Sequence, residues 1–180
     1  IKAQKEAEEK AKEENSKENN KDGSKGNSSE TSESSEPVYQ DIAEFLELNG
    51  IAIDYSNYVV GDSYPVETQE NDWQGIATAG PGNKLVAFEF TVKNNNAEDY
   101  NLDMGAMKIK ASVKVNDLMT KSPLTTLLMN DFMFYRGTIP AGQSENLVLL
   151  IELSENDAQT ISSALLTVKK DDRKMQTTLL

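Results

Sequence analysis

The sequence predicts a mainly β protein, a two-sheet antiparallel sandwich with one or two short helices, preceded by a disordered N-terminal tail. Three observations carry that prediction. In Lys84–Asn96 (KLVAFEFTVKNNN), Val86, Phe88, Phe90 and Val92 take every second position and Glu89, Thr91 and Lys93 fill the gaps. A strand with one face on a core shows this alternation. In Leu147–Leu153 aliphatic residues occupy both faces, as in a strand buried on both sides. Between such runs, turn signals recur at roughly 8 to 15 residues and separate about eight or nine short strands.

Composition bounds the chemistry. The chain has 180 residues, with no Cys and no His. Disulfides, the usual zinc and haem sites, cysteine nucleophiles and histidine-based triads are therefore closed to it. A formal net charge of −12 sets up a field that repels phosphate backbones and anionic headgroups, so nucleic acid is not an expected partner. No window reaches the ~18 apolar residues that span a bilayer. The chain opens on Ile1 rather than Met, which is read as a processed or trimmed product whose missing upstream part could have carried a signal.

Residues 1–36 contain almost no apolar side chain. A Lys/Glu/Ala run comes first, with Glu6–Lys10, Glu8–Lys12 and Glu13–Lys17 at i,i+4, and a Ser/Asn/Gly/Glu run follows. Neither builds a core, so residues 1–36 read as a disordered linker and residues 37–180 as the folded domain. As a flexible coil the linker would span roughly 30 to 36 Å, the reach of a stalk; a charged solubilising tail is the plainer alternative.

Pro37–Gly50 reads as a short helix, with Val38, Ile42, Phe45 and Leu46 at helical spacing and Asn49-Gly50 as its stop, although Phe45, Leu46 and Leu48 could also lead into a strand. Ile51, Ile53 and Tyr55 alternate into a strand that runs to about Val60. Gly61–Gly82 is a long polar loop holding Asp62, Glu67, Glu70, Asp72 and the single Trp73. Four carboxylates suit calcium, but no D-x-D-x-D-G spacing is present, and a solvated acidic loop is the reading adopted. Trp73 is either a plug under the loop or an exposed anchor. The asparagines at 94–96 mark a turn at the end of the long strand, since Asn accepts left-handed backbone angles and bonds its own main chain.

Tyr100–Met104 and Met107–Val115 are the next strands. In the second, Met107, Ile109, Ala111, Val113 and Val115 point inward, and Lys108, Lys110 and Lys114 line an outer face that keeps the strand soluble and protects an edge. Pro123–Tyr135 fits a helical or irregular segment, followed by a strand over Phe132–Ile139, and should lie under the sandwich or cap one end. Ile139-Pro140-Ala141-Gly142 is a tight turn into Leu147–Leu153, read as a central strand. Ser154 is an N-cap candidate for one helical turn, and Ala164–Lys169 with Lys174–Leu179 forms a closing hairpin across Asp171-Asp172.

Three motifs, FEFTVKNNN at Phe88–Asn96, IPAGQS at Ile139–Ser144 and the LVLLIEL strand after it, resemble the small immunoglobulin-like domains of uncharacterised lipoproteins secreted by Gram-positive bacteria. That resemblance spans about Gly50–Leu180. It implies an immunoglobulin-like sandwich and an extracellular domain, membrane-anchored on the cell surface through an N-terminal lipid on a Cys that is not in this sequence. It carries over no catalytic, cofactor or metal residue.

The function expected is therefore a non-enzymatic surface domain that binds a protein or glycan, or itself, through aromatic anchors at Trp73, Phe132, Phe134 and Tyr135. No cofactor is expected. The alternatives are a carboxylate- or Ser/Lys-based envelope enzyme and a cytoplasmic acidic adaptor. For the enzyme, Ser24-Lys25 and Lys121-Ser122 lack the S-x-x-K spacing that sets a lysine beside its serine. A cleft holding two convergent carboxylates would favour it.

Overall fold

The computed structural model describes residues 39, 41–66 and 75–180. The linker at 1–36 and the acids Glu67, Glu70 and Asp72 lie outside the described residues, as does Trp73. The described chain runs α1 (Ile42–Leu46), β1 (Ile51–Gly61), β2 (Ser63–Tyr64), β3 (Ala77–Thr78), β4 (Asn83–Asn94), β5 (Tyr100–Asp103), β6 (Lys110–Val115), β7 (Met119–Lys121), β8 (Arg136–Ile139), β9 (Ser144–Ser154), α2 (Glu155–Gln159), β10 (Ala164–Lys170) and β11 (Arg173–Thr178).

Two sheets make the sandwich, one ordered β1-β4-β9 and the other β11-β10-β6-β7, with small ribbons β2-β3 and β5-β8 beside them. All their strand pairs are antiparallel. Between the two sheets lies one core, to which β4 contributes Val86, Phe88, Phe90 and Val92, and β9 contributes Leu147, Leu149, Ile151 and Leu153. The facing sheet supplies Val113, Val115, Ala164, Leu166, Val168 and Met175. Each large apolar side chain so buried stabilises the fold by about 1.5 to 3 kcal/mol relative to exposure. The even positions of β4 predicted this face, and all four are fully buried.

Helix α1 starts where Asp41 Oδ1 accepts the Glu44 amide at 2.6 Å, so the cap is Asp41 rather than a residue near Pro37. It ends at Glu47, in left-handed backbone. Across the domain Arg173 stacks on the Phe45 ring at 5.6 Å and pairs with Glu47 at 2.9 Å, which ties the closing hairpin to the helix. The hydrogen bond from Arg173 and its charge hold the Glu47 carboxyl below its ordinary range. Gly50 follows with a φ of +72°, and a Cβ there would sit 2.0 Å from the Asn96 carboxamide oxygen, so both angle and space demand glycine.

Several expectations need correction. β4 ends at Asn94 as expected, with the main-chain bonding expected of Asn but without left-handed backbone at 94–96. Instead the buried Asn94 donates from Nδ2 to the carbonyls of Glu98 (2.8 Å) and Ile139 (3.0 Å), and its Oδ1 accepts the Asn96 amide at 2.9 Å. Met107 ends a 3-10 turn, and β6 begins only at Lys110. The lysine face is not at an edge either, because β6 lies between β10 and β7. Its lysines face outward, with Lys114 paired to Asp117 at 3.0 Å.

Residues 122–135 hold no helix, and their strand spans Arg136–Ile139 alone. Nor is β9 central: β4 is, and β9 flanks it. β9 is buried on both faces as expected; a crossing segment at 124–132 runs along its free edge, and Leu124 and Leu128 of that segment fold over the outer face. Leu124 N donates to Leu150 O at 2.8 Å, Phe132 N to Val148 O at 2.8 Å, and Val148 N to Asn130 O at 2.9 Å. Beneath the segment Leu85, Ala87, Leu128, Val148 and Leu150 form a second, smaller core.

Because Phe88 and Phe90 are both fully buried in the main core, alanine at either position should cost about 3 to 5 kcal/mol in urea unfolding. A loss under ~1 kcal/mol would show that the core does not depend on these rings.

Candidate functional site

The outer face of β1-β4-β9 changes character along its length. Alternation on β4 sends Leu85, Ala87, Glu89 and Thr91 to this face, and register sets Leu150 opposite Ala87, Val148 opposite Glu89 and Asn146 opposite Thr91. The first half is apolar and covered. The second half is polar and forms an open groove of about 600 Å³, inside the range of roughly 300 to 1,000 Å³ usual for ligand sites.

Each wall has a local cause. A register shift in β1 between Tyr55 and Asn57 pushes Ser56 out of the ladder and toward the groove. Its Oγ lies 2.7 Å from Thr91 Oγ1, and that hydroxyl donates to Asn146 Oδ1 at 3.4 Å. A polar row thus crosses all three strands. The crossing segment adds Asn130, whose Nδ2 donates to Asn146 O at 3.2 Å. Asn130 Oδ1 is buried with no donor among the described residues.

Tyr64 and Pro65, joined by a cis peptide bond, close another side. Tyr64 stands at the boundary between the halves: its ring packs on the second core, and its hydroxyl donates to Glu89 Oε1 at 3.0 Å. Burial, followed by that bond to Glu89, pushes the phenol up to about 12. Tyr64 is therefore a neutral donor at any physiological pH. From β9 the groove also takes Ser144 and, at its end, Glu145; register sets Glu145 opposite the core-facing Val92, so Glu89 is the one carboxylate among the lining residues that alternation turns onto the groove's floor.

The four aromatic residues singled out in the sequence part company. Phe132 is fully buried with its ring 4.8 Å from that of Phe90, and Tyr135 is buried with its hydroxyl where a Cβ on Gly137 would fall. Both are core residues in this structure, because the chain reverses at 131–135 and turns them inward. Burial is also the main cause of the raised pKa of Tyr135. Phe134 points out, 55% exposed, while Trp73 lies outside the described residues. Of the acidic loop, Asp62 pairs with Lys84 at 2.7 Å. Among the described residues no three acidic side chains gather to hold an ion, and Lys121 and Ser122 do not line this groove. None of the groove residues was singled out from the sequence as a site.

The chain folds as an antiparallel β-sandwich domain with a polar groove on one outer face. Among solved structures it is similar to an uncharacterised β-sandwich protein from Clostridium difficile 630, at 12% identity and a TM-score of 0.48, over 73% of this chain and 87% of that one. It is also similar to a conserved hypothetical protein from Bacillus anthracis, at 12% identity and a TM-score of 0.43, over 71% and 87%. At such values neither adds to the fold argued from the strands. No protein-family model matches the chain, and no curated protein matches it.

Spectrophotometric titration checks the groove's internal bonding. The difference between wild type and Tyr64→Phe should be one phenol titrating near 12, and a difference centred on the ordinary 10.0 would contradict the Glu89 contact. Since the folded pKa lies above the unfolded one, the phenol's contribution to stability is complete below pH 10 and is lost as pH rises through about 12.

Proposed function

We propose that this domain is a non-enzymatic binding module of the bacterial cell surface that takes a protein or glycan ligand in the groove on the outer face of β1-β4-β9. The observation that supports it is the polar row Ser56–Thr91–Asn146, held on three paired strands and left uncovered where the neighbouring half of the face is covered. Groups fixed by a sheet lose little freedom on binding, so their hydrogen bonds convert to affinity at small entropic cost. The aromatic-anchor idea keeps Phe134 and Trp73, since Phe132 and Tyr135 are buried.

The compartment belongs to the same proposal. A linker of the composition of residues 1–36 suits a domain held away from a surface by a lipid anchor upstream, and the acidic chain suits neither nucleic acid nor an anionic membrane face. Among the described residues, no helix is long and apolar enough to cross a membrane.

The carboxylate-enzyme alternative gains nothing from the groove. Glycoside hydrolysis uses two convergent carboxylates, whereas Glu89 accepts the Tyr64 hydroxyl on the outer face and Glu145, opposite Val92, alternates to the other face.

Co-sedimentation with insoluble Gram-positive envelope separates the readings. Wild type and Phe134→Ala should pellet alike, whereas Thr91→Arg and Asn146→Ala, both confirmed folded by melting, should lose at least about tenfold in affinity. Equal retention of all four proteins would place the site elsewhere. Release of soluble sugar by the wild type would make the protein an enzyme.

A further inference from the structure

We infer that the groove's ligand is a neutral glycan segment rather than a peptide or a charged polymer. The inference rests on the reading of the groove as the binding site and narrows what enters it. Peptide recognition draws its energy from apolar or aromatic anchors seated in pockets, or from a peptide strand added to a free sheet edge. The groove offers neither. Its floor is the middle of a sheet, where β4 is paired on both sides, and its apolar lining is confined to Pro65 and the ring of Tyr64.

What the groove does offer is a dense set of hydroxyls and carboxamides. Each hydroxyl of Ser56 and Thr91 has one proton to give and two lone pairs, so the 2.7 Å contact between them leaves acceptor capacity unused. Sugar hydroxyls carry the same dual capacity and can extend such a row.

Charge sets the class of glycan. Glu89 is the carboxylate on the groove's floor and already accepts the Tyr64 hydroxyl, while Lys93 stands on the same face of β4 opposite the lining residue Ser144. With one charge of each sign at the groove, neither an anionic nor a cationic chain is met by a field of the opposite sign, and a neutral chain is the class that fits.

The test is a titration of the 15N-labelled full chain followed by amide shifts, with four probes: a tetramer of N-acetylglucosamine, a tetramer of glucosamine, a tetramer of galacturonic acid and a neutral hexapeptide. The N-acetylglucosamine tetramer should shift the amides of Ser56, Thr91, Asn130 and Asn146, with both charged tetramers weaker and the peptide without effect. Asn146→Ala, with its melting temperature retained, should weaken the neutral tetramer at least about tenfold. If a charged tetramer or the peptide moves these amides as well as or better than the neutral one, the glycan inference falls while the groove stands as a site. If no sugar moves them, the inference is also overturned, and the envelope sedimentation of Thr91→Arg then shows whether the groove reading falls with it.

Discussion

The buried carboxylate of Asp131 is the constraint on which the arrangement of the groove and of both cores depends. It sits 4% exposed in the crossing segment, where one oxygen accepts the Thr126 hydroxyl and the other accepts the Met133 amide at 2.8 Å. Its own carbonyl accepts the amides of Phe134 (3.1 Å) and Tyr135 (2.7 Å), and its amide donates to Leu128 O at 3.2 Å. A carboxylate can be buried at this depth only if its oxygens are served, and here they fix two successive chain reversals. One reversal turns Leu128 down onto the outer face of the first sheet; the other turns Phe132 into the main core. Between them Asn130 is left at the groove wall.

The groove is a by-product of where that segment stops. Leu124 and Leu128 cover the half of the outer face that carries Leu85, Ala87, Val148 and Leu150. Toward Thr91 and Asn146 the strands turn polar, and a cover made of apolar side chains would gain nothing there. Tyr64 marks the border, with its ring on the apolar side and its hydroxyl on Glu89. The far end of the face is closed by Glu152, which accepts the Gly80 amide at 2.6 Å and the Asn83 carboxamide at 3.1 Å. The Gly80 bond is the main reason that its carboxyl lies below the ordinary range.

Legibility in the sequence followed the range of the interactions. Where the signal was local it read correctly: the alternation at Val86–Val92, the Ser154 cap of α2 and the β10–β11 hairpin across Asp171-Asp172. Where a pattern had two physical causes, it read only in part. Aliphatics on both faces of β9 read correctly as two-sided burial but not as a central place in the sheet, because burial of the faces does not report what pairs along the edges, where β4 lies on one side and the crossing segment on the other. Leu124, Leu127 and Leu128 mimic a helical face, yet Leu127 is 96% exposed and only the other two pack, because turns rather than a helix set their directions. The groove was not legible, since Ser56, Thr91, Asn130 and Asn146 come from four separate stretches that meet only through strand register and a bulge. Phe132 and Tyr135 looked like anchors for a related reason: an aromatic cluster reads alike whether it plugs a core or faces a partner.

Hydrogen–deuterium exchange on Asp131→Ala tests the central dependence most directly. If the carboxylate pins the crossing segment, the amides of Leu124, Phe132 and Val148 should exchange at least about tenfold faster than in wild type. Those of Leu166 and Val168, in the opposite sheet, should keep their protection and show that the domain is still folded. Wild-type protection at Leu124, Phe132 and Val148 in the variant would contradict the account.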